Sequence, residues 1–434
     1  MTQVTAYRAA ILHSLADPAQ VGLDASYAYH EDGVLVVADG HICDIGPAEQ
    51  VLARQPANLE VIHFENKLIT AGFIDTHIHF PQTEMIASYG EQLLDWLNNY
   101  TFPEERKFAD PAHASRVASF FLDELLRNGT TTAMVFGTVH KASVDAFFSE
   151  SDRRNMRMIA GKVMMDRHAP DYLLDTPDSA YADSKALIER WHNKGRQLYA
   201  VTPRFAPTST ADQLAVAGRL LQEYPDVYLQ THLSENKQEI EWVRELFPER
   251  QGYLDVYDHF GLLGERSVFA HAVHLAQEEC ARMGKTDSVI SFCPTSNLFL
   301  GSGLFDLPKM ETHHIRVGLG TDVGGGTSFS MLQTIAEAYK IQQLQQHKLH
   351  PLKALYLATL GGARALNLDD KVGNLDVGKE ADFLVLDLHA TPLIQARMKN
   401  AHNLFEQLFV LMMLGDDRVI AETYIYGDCC YRRD

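Results

Sequence analysis

The stretch Ile69–His79 reads Ile-Thr-Ala-Gly-Phe-Ile-Asp-Thr-His-Ile-His, an apolar run of β type that ends on two histidines. Further runs of this type follow it, separated by segments with helical patterns. They lie at Thr130–Gly137, Met158–Met165, Leu198–Phe205, Val227–His232, Val268–His271, Val289–Cys293 and Val317–Asp322. Eight successive β/α units predict an α/β protein with a closed, TIM-like (β/α)₈ barrel, and a doubly wound open sheet is the main alternative.

The helical segments between the runs carry recognisable end signals. The clearest helix is predicted from Pro111 to Asn128, with Asp110 as N-cap and Gly129 closing the C-terminus. A second helix is predicted over Met331–Lys348.

Both ends of the chain differ from its centre because they consist of short β-type runs and turns. Asp39-Gly40 joins two such runs and is typical of a hairpin. We therefore predict a small discontinuous β-sandwich built from residues 1–67 and 371–434, the second part with a C-terminal helix and strand. Residues 68–370 would form the barrel.

The composition limits the possible partners and compartment. With 38 basic and 57 acidic residues the net charge is −19, which disfavours nucleic-acid binding but not binding of a free, uncharged base. The five scattered cysteines lack C-x-x-C spacing and are typical of reduced thiols in the cytoplasm. We expect no signal peptide and no membrane contact, since the apolar run Leu408–Leu414 is too short to cross a bilayer.

Polar side chains end four of the eight runs. His77 and His79 end the first run and share one face of the strand, because alternate residues point the same way. His232, His271 and Asp322 end the fifth, sixth and eighth runs. A single histidine in such a place is usually structural, but in a barrel all these ends meet at one rim, where barrel active sites lie. The set predicts an active site.

These residue types indicate metal-assisted hydrolysis. Three imidazoles and a carboxylate suit Zn²⁺, and imidazole also suits Fe²⁺. A metal lowers the pKa of its bound water, and Asp322 is placed to act as the base. Glu235, three residues after His232, is the candidate proton carrier, with a solvated glutamate at a helix start as the alternative interpretation.

The chain resembles the metal-dependent amidohydrolase superfamily over essentially its whole length. Two longer segments carry this resemblance. Residues 71–79 are similar to its first-strand motif, with Ala71 where proline is usual. Asn374–Phe383 is similar to its return into the small β-sandwich. Shorter segments resemble the guanine deaminase family within it. They are His79-Phe-Pro-Gln82, Thr202-Pro-Arg-Phe205, His232-Leu-Ser-Glu235, Cys293-Pro-Thr-Ser-Asn297 and Gly320-Thr-Asp322.

The resemblance implies a catalytic centre for hydrolysis of guanine to xanthine and ammonia. It implies one Zn²⁺ per subunit, with Fe²⁺ as the alternative, held by the ligands His77, His79, His232 and Asp322. Arg204 stands where binuclear relatives carry a carboxylated lysine, which favours a single metal. His271 would polarise the metal-bound water or the substrate.

The resemblance also implies how the purine base is bound and how the chain assembles. The base would contact Gln82, Arg204 and the Phe205 backbone, and it would also contact His79, His232, Glu235 and Asp322. The family implies a homodimer. The long segment Phe80–Arg127 between the first two runs is expected to form a lid and a pocket wall, in which Trp96 and Phe102 should pack rather than touch substrate.

Two alternatives stay open at this point. The first is an enzyme for a related aminated ring, such as 8-oxoguanine, a pterin or an aminotriazine. The second is a non-catalytic scaffold that keeps the barrel as an interaction surface, although such relatives would be expected to have lost metal ligands.

Overall fold

In the computed structural model, which describes residues 4–89 and 93–434, eight parallel strands form a nearly closed barrel in chain order. The strands are Phe73–His79, Thr130–Phe136, Arg157–Gly161, Gln197–Pro203, Tyr228–Leu233, Ser267–His271, Val289–Phe292 and Arg316–Leu319, and Val163–Met164 pairs beside the fourth. The Asp322 N–H donates to the His77 carbonyl at 2.9 Å, and the His79 N–H donates to the Val323 carbonyl at 2.9 Å. These bonds join the last strand to the first, so the barrel prediction is confirmed.

The first predicted run is divided between two sheets at Gly72. Residues up to Ala71 end the strand Glu60–Ala71 of a second sheet, and the barrel strand begins at Phe73. A Cβ atom at Gly72 would lie 2.1 Å from the Thr131 hydroxyl oxygen, so the chain can pass there only without a side chain. The run looks continuous in the sequence because both sheets bury their parts of it.

The helices alternate with the barrel strands. The predicted helix after Asp110 is found at Pro111–Arg127, and the Asp110 carboxylate accepts from the Ala112 N–H at 3.0 Å. The helix predicted to reach Lys348 ends at Leu344, because the backbone turns left-handed at Gln346, with a φ of 62°. The α-helices are Pro18–Val21, Ala48–Ala53, Leu93–Trp96, Phe102–Glu105, Pro111–Arg127, Lys141–Arg153, Pro177–Trp191, Ala211–Glu223, Lys237–Leu246, Tyr253–His259, Gln277–Lys285, Pro294–Phe299, Leu307–Thr312, Met331–Leu344, Pro351–Ala358, Leu360–Ala365, Pro392–Met398 and Leu404–Leu414.

Both ends of the chain contribute to one mixed sheet of seven strands, so their predicted pairing is confirmed. In spatial order the strands are Asp428–Arg432, Ile420–Ile425, Phe383–Asp387, Glu60–Ala71, Val4–Ser14, Tyr27–Ala38 and His41–Pro47. The two ends meet where Phe383 pairs antiparallel with Ala71. The domain boundaries at residues 67 and 370 stay a prediction.

A buried ion cluster attaches the small sheet to the barrel, away from the strands' carboxyl ends. Arg196 Nη2 lies 2.6 Å from carboxylate oxygens of both Glu380 and Asp382, and Arg157 pairs with Glu380 as well. Arg157 and Arg196 flank the amino ends of the third and fourth barrel strands. The opposite rim is therefore left for the site.

Among the described residues, no helix is both long enough and apolar enough to cross a bilayer.

Candidate metal centre and active site

The carboxyl ends of the first, fifth and eighth strands bring four metal-ligating side chains together. His77 Nε2 lies 3.2 Å from His79 Nε2 and 3.2 Å from Asp322 Oδ1. His79 Nε2 lies 3.3 Å from both His232 Nε2 and Asp322 Oδ1. A tetrahedral zinc with Zn–N bonds of about 2.0–2.1 Å requires ligand atoms roughly 3.3 Å apart. The spacing of this tetrad therefore fits a single ion of that size.

The protonation states in the tetrad also suit a metal. Burial lowers the pKa of His77, lowers that of His79 to about 3, and with the neighbouring imidazoles lowers that of His232 well below its ordinary value. Burial alone would raise the pKa of Asp322, but contacts with His77 and His79 hold it well below its usual range. Neutral imidazoles and an ionised carboxylate are the forms that bind metal.

A hydrogen bond orients His232 towards the centre of the tetrad. Its Nδ1 lies 2.7 Å from the Arg204 carbonyl, and because a carbonyl only accepts, Nδ1 must carry the proton. The Nε2 lone pair is then free to face the other ligands, an arrangement typical of metal-bound histidines.

Left-handed backbone turns place the side chains at the strand ends. Ser234, His271 and Asp322 have φ values of 48°, 70° and 53°. Such a conformation costs about 1–3 kcal/mol for a residue other than glycine, and it concentrates at functional sites. In this fold it points His271 and Asp322 into the barrel mouth.

His271 and Glu235 lie beside the tetrad and face each other. His271 Nε2 is 3.5 Å from Glu235 Oε2 and 3.7 Å from Asp322 Oδ2, so it is further from the Asp322 carboxylate than His77 and His79 are. Burial, followed by the charge of Asp322, raises the pKa of Glu235 to about 8. A carboxyl group with this pKa holds a proton at neutral pH and can donate it.

Three members of the tetrad, His79, His232 and Asp322, line a cavity at the mouth of the barrel. Every predicted site residue except His77, which lies beneath, contributes to its wall, and an apolar wall faces them. The lining residues are His79, Gln82, Leu93, Trp96, Leu97, Arg204, Phe205, His232, Glu235, His271, Leu300, Asp322 and Gly325. A flat, partly polar ring suits such a mixture of apolar and directional groups.

The two aromatic residues expected to pack behave differently. Trp96 is buried in an apolar cluster, as expected, and it also lines the cavity. Phe102 does not line the cavity, and its ring centroid lies 5.6 Å from Arg204 Cζ.

Three residues around the site could not be assigned a role from the sequence. Ser302 Oγ donates to Glu235 Oε1 at 3.0 Å, Asn297 Oδ1 lies 2.9 Å from His271 Nδ1, and Glu105 accepts from Arg204 Nη1 at 2.9 Å. Asn297 lies in the Cys293–Asn297 motif, and this motif was the only indication in the sequence that Asn297 belongs to the site. Ser302 and Glu105 lie in loop and short-helix segments where no local pattern shows which side chain points inward.

Comparison with known proteins finds a matching family and similar proteins. The sequence profile of the amidohydrolase family matches residues 68–429. Guanine deaminase of Escherichia coli (strain K12) is 54% identical over 424 residues, covering 98% of this chain and 96% of that protein.

Solved structures lead to the same group of proteins. An E. coli guanine deaminase structure superposes with a TM-score of 0.95 at 52% identity, covering 99% of both chains. A guanine deaminase from C. acetobutylicum with guanine bound in its active site has a TM-score of 0.88 at 30% identity, covering 99% of this chain and 100% of that one.

Proposed function

The chain belongs to the amidohydrolase family, and from this premise we propose that it hydrolytically deaminates guanine to xanthine and ammonia. The observation that carries the proposal is the tetrad of His77, His79, His232 and Asp322 at a cavity lined by both polar and apolar side chains. The similarity to guanine deaminases over nearly the whole chain supports the choice of substrate.

We propose that the tetrad holds one Zn²⁺ per subunit, with Fe²⁺ as the alternative. The ligand spacing and the neutral state of the imidazoles support a single divalent ion. When bound, this ion supplies the Lewis acid that activates the attacking water.

The remaining chemistry belongs to side chains on the cavity floor. Asp322 takes the proton of the attacking water as oxygen adds to C2 of the base. Glu235 carries a proton to the ring nitrogen next to C2, and protonation of the C2 amine then releases ammonia. His271, 3.7 Å from Asp322 Oδ2, stabilises the new oxygen on the tetrahedral carbon.

Three residues on the cavity wall would orient the base. Arg204 and Gln82 offer directional N–H donors to ring oxygen and nitrogen atoms, and the Phe205 backbone adds a further polar contact. These contacts would hold C2 over the tetrad, within reach of Glu235.

Chelation should remove guanine deamination, and added Zn²⁺ should restore it, because the metal supplies the Lewis acid that activates the attacking water. We would follow ultraviolet absorbance with guanine, adenine, cytosine and 8-oxoguanine side by side, before and after metal removal. Xanthine formation from guanine that depends on zinc and exceeds turnover of the other bases is the expected result. Metal-loaded protein that leaves guanine unchanged would overturn the substrate and lead to other aminated rings.

We also propose that the protein acts in the cytoplasm as a homodimer. All five cysteines are free, which supports a reducing compartment. The dimer rests on the family resemblance, and light scattering of the purified protein should give twice the chain mass of 48.7 kDa. A mass of one chain would contradict it.

A further inference from the structure

Glu105 is a fully buried carboxylate that ends the short helix Phe102–Glu105. Its Oε1 and Oε2 each accept a hydrogen bond from Arg204 Nη1 at 2.9 Å. Oε1 also accepts from Gln82 Nε2 at 3.4 Å. One carboxylate, which does not itself line the cavity, therefore contacts both side chains proposed to bind the base.

These contacts fix the orientation of the Arg204 guanidinium. Glu105 engages Nη1 on one side, and the Phe102 ring lies 5.6 Å from Cζ. Arg204 Nε and Nη2 donate no hydrogen bond to the described part of the chain, and Arg204 lines the cavity. The planar fork thus keeps donors available for a ligand in a fixed direction.

Glu105 also determines which way the Gln82 amide faces. Gln82 Oε1 accepts from the Gly324 N–H at 3.1 Å, while Nε2 donates to Glu105. An ionised carboxylate can only accept, so the amide nitrogen must lie on its side. One Nε2 hydrogen is then free for a ligand.

The charge of Glu105 has a second consequence for the ligand. Arg204 is buried, and an unpaired guanidinium there would favour anions. Paired with Glu105 it contributes hydrogen-bond direction with no net charge, which suits a neutral base.

We infer that Glu105 is a positioning residue, which sets Arg204 and Gln82 to recognise the oxygen-bearing edge of the purine. This inference rests on the proposed guanine deamination. Glu105 acts through its two partners and touches no reacting atom, so it determines which ring is bound rather than how fast the bond breaks.

The variant Glu105→Gln should raise KM for guanine about 10- to 100-fold, the range for losing a hydrogen bond to a charged group, while kcat changes less than about threefold. 2-Aminopurine, added as a competing ligand, carries the C2 amine but no oxygen on the ring. Its Ki should rise less than about threefold, so the ratio of Ki to the guanine KM should fall by at least about threefold. General loosening of the cavity would raise both constants together.

Glu104→Gln is the matched control. Glu104 precedes Glu105 on the same helix, but its carboxylate pairs with Lys107 at 2.6 Å and does not line the cavity. Its KM, kcat and inhibitor ratio should stay at wild-type values.

A double variant keeps the test valid if Glu105→Gln alone folds poorly, since that change leaves a buried arginine unpaired. Arg204→Gln combined with Glu105→Gln removes both charges. If Glu105 works through Arg204, the double variant should have a guanine KM no higher than that of Arg204→Gln alone. Additive KM increases, or an unchanged inhibitor ratio in Glu105→Gln, would overturn the inference. Wild-type protein inactive on guanine would instead overturn the proposed function.

Discussion

Asp322→Asn is expected to lower kcat/KM for guanine by about 10⁴-fold and to reduce bound metal below one ion per chain. Asp322 Oδ1 belongs to the tetrad, while Oδ2 faces His271, so one carboxylate serves both the metal and the proton transfer. Loss of a general base alone costs about 10²–10⁴-fold, and a neutral amide is also a weaker ligand. Steady-state kinetics and metal analysis by mass spectrometry measure the two effects separately.

The fold should survive this substitution, because asparagine keeps the size of the side chain and the Asp322 backbone keeps its bond to His77. Circular dichroism should show an unchanged spectrum. A folded variant that retained most of its metal and turnover would show that Asp322 is neither the ligand nor the base.

The barrel could be predicted because its strands are buried apolar runs and a helix such as Pro111–Arg127 has a local start signal. The Asp110 cap and the histidines at run ends are features of single segments, and they were found where expected. The division at Gly72 was not predictable in this way. It depends on Thr131, a residue of the next strand that meets Gly72 only in the folded barrel.

The candidate site was predictable to the same extent. The ends of parallel strands must converge, so residues at run ends could be grouped without knowing any contact. Glu105 is separated from Arg204 by 99 residues. In the same helix, the neighbouring Glu104 pairs with the exposed Lys107. Local pattern does not distinguish these two, because long-range packing alone decides which carboxylate meets the arginine.

Glu235→Gln should retain its metal but lower kcat about 10²–10⁴-fold, with a smaller change in KM. Glutamine keeps the shape of the side chain and can still accept the hydrogen bond of Ser302 through its amide oxygen. It cannot take up and release a proton at a pH near the Glu235 pKa of about 8. Kinetics and metal content on the same preparation test this prediction, and wild-type kcat would remove Glu235 from the mechanism.

Glu239→Gln is the matched control for this variant, because Glu239 is an equally buried carboxyl four residues along the chain. Burial, and then the Glu235 charge, raise its pKa to about 7, yet it does not line the cavity. It accepts from the Glu235 N–H at 2.9 Å and from the Tyr253 hydroxyl at 2.7 Å, and an amide can replace both bonds if the hydroxyl turns to accept. Its kcat should stay within about threefold of wild type. An equal loss in both variants would mean that the shared segment, rather than the Glu235 proton, determines the rate.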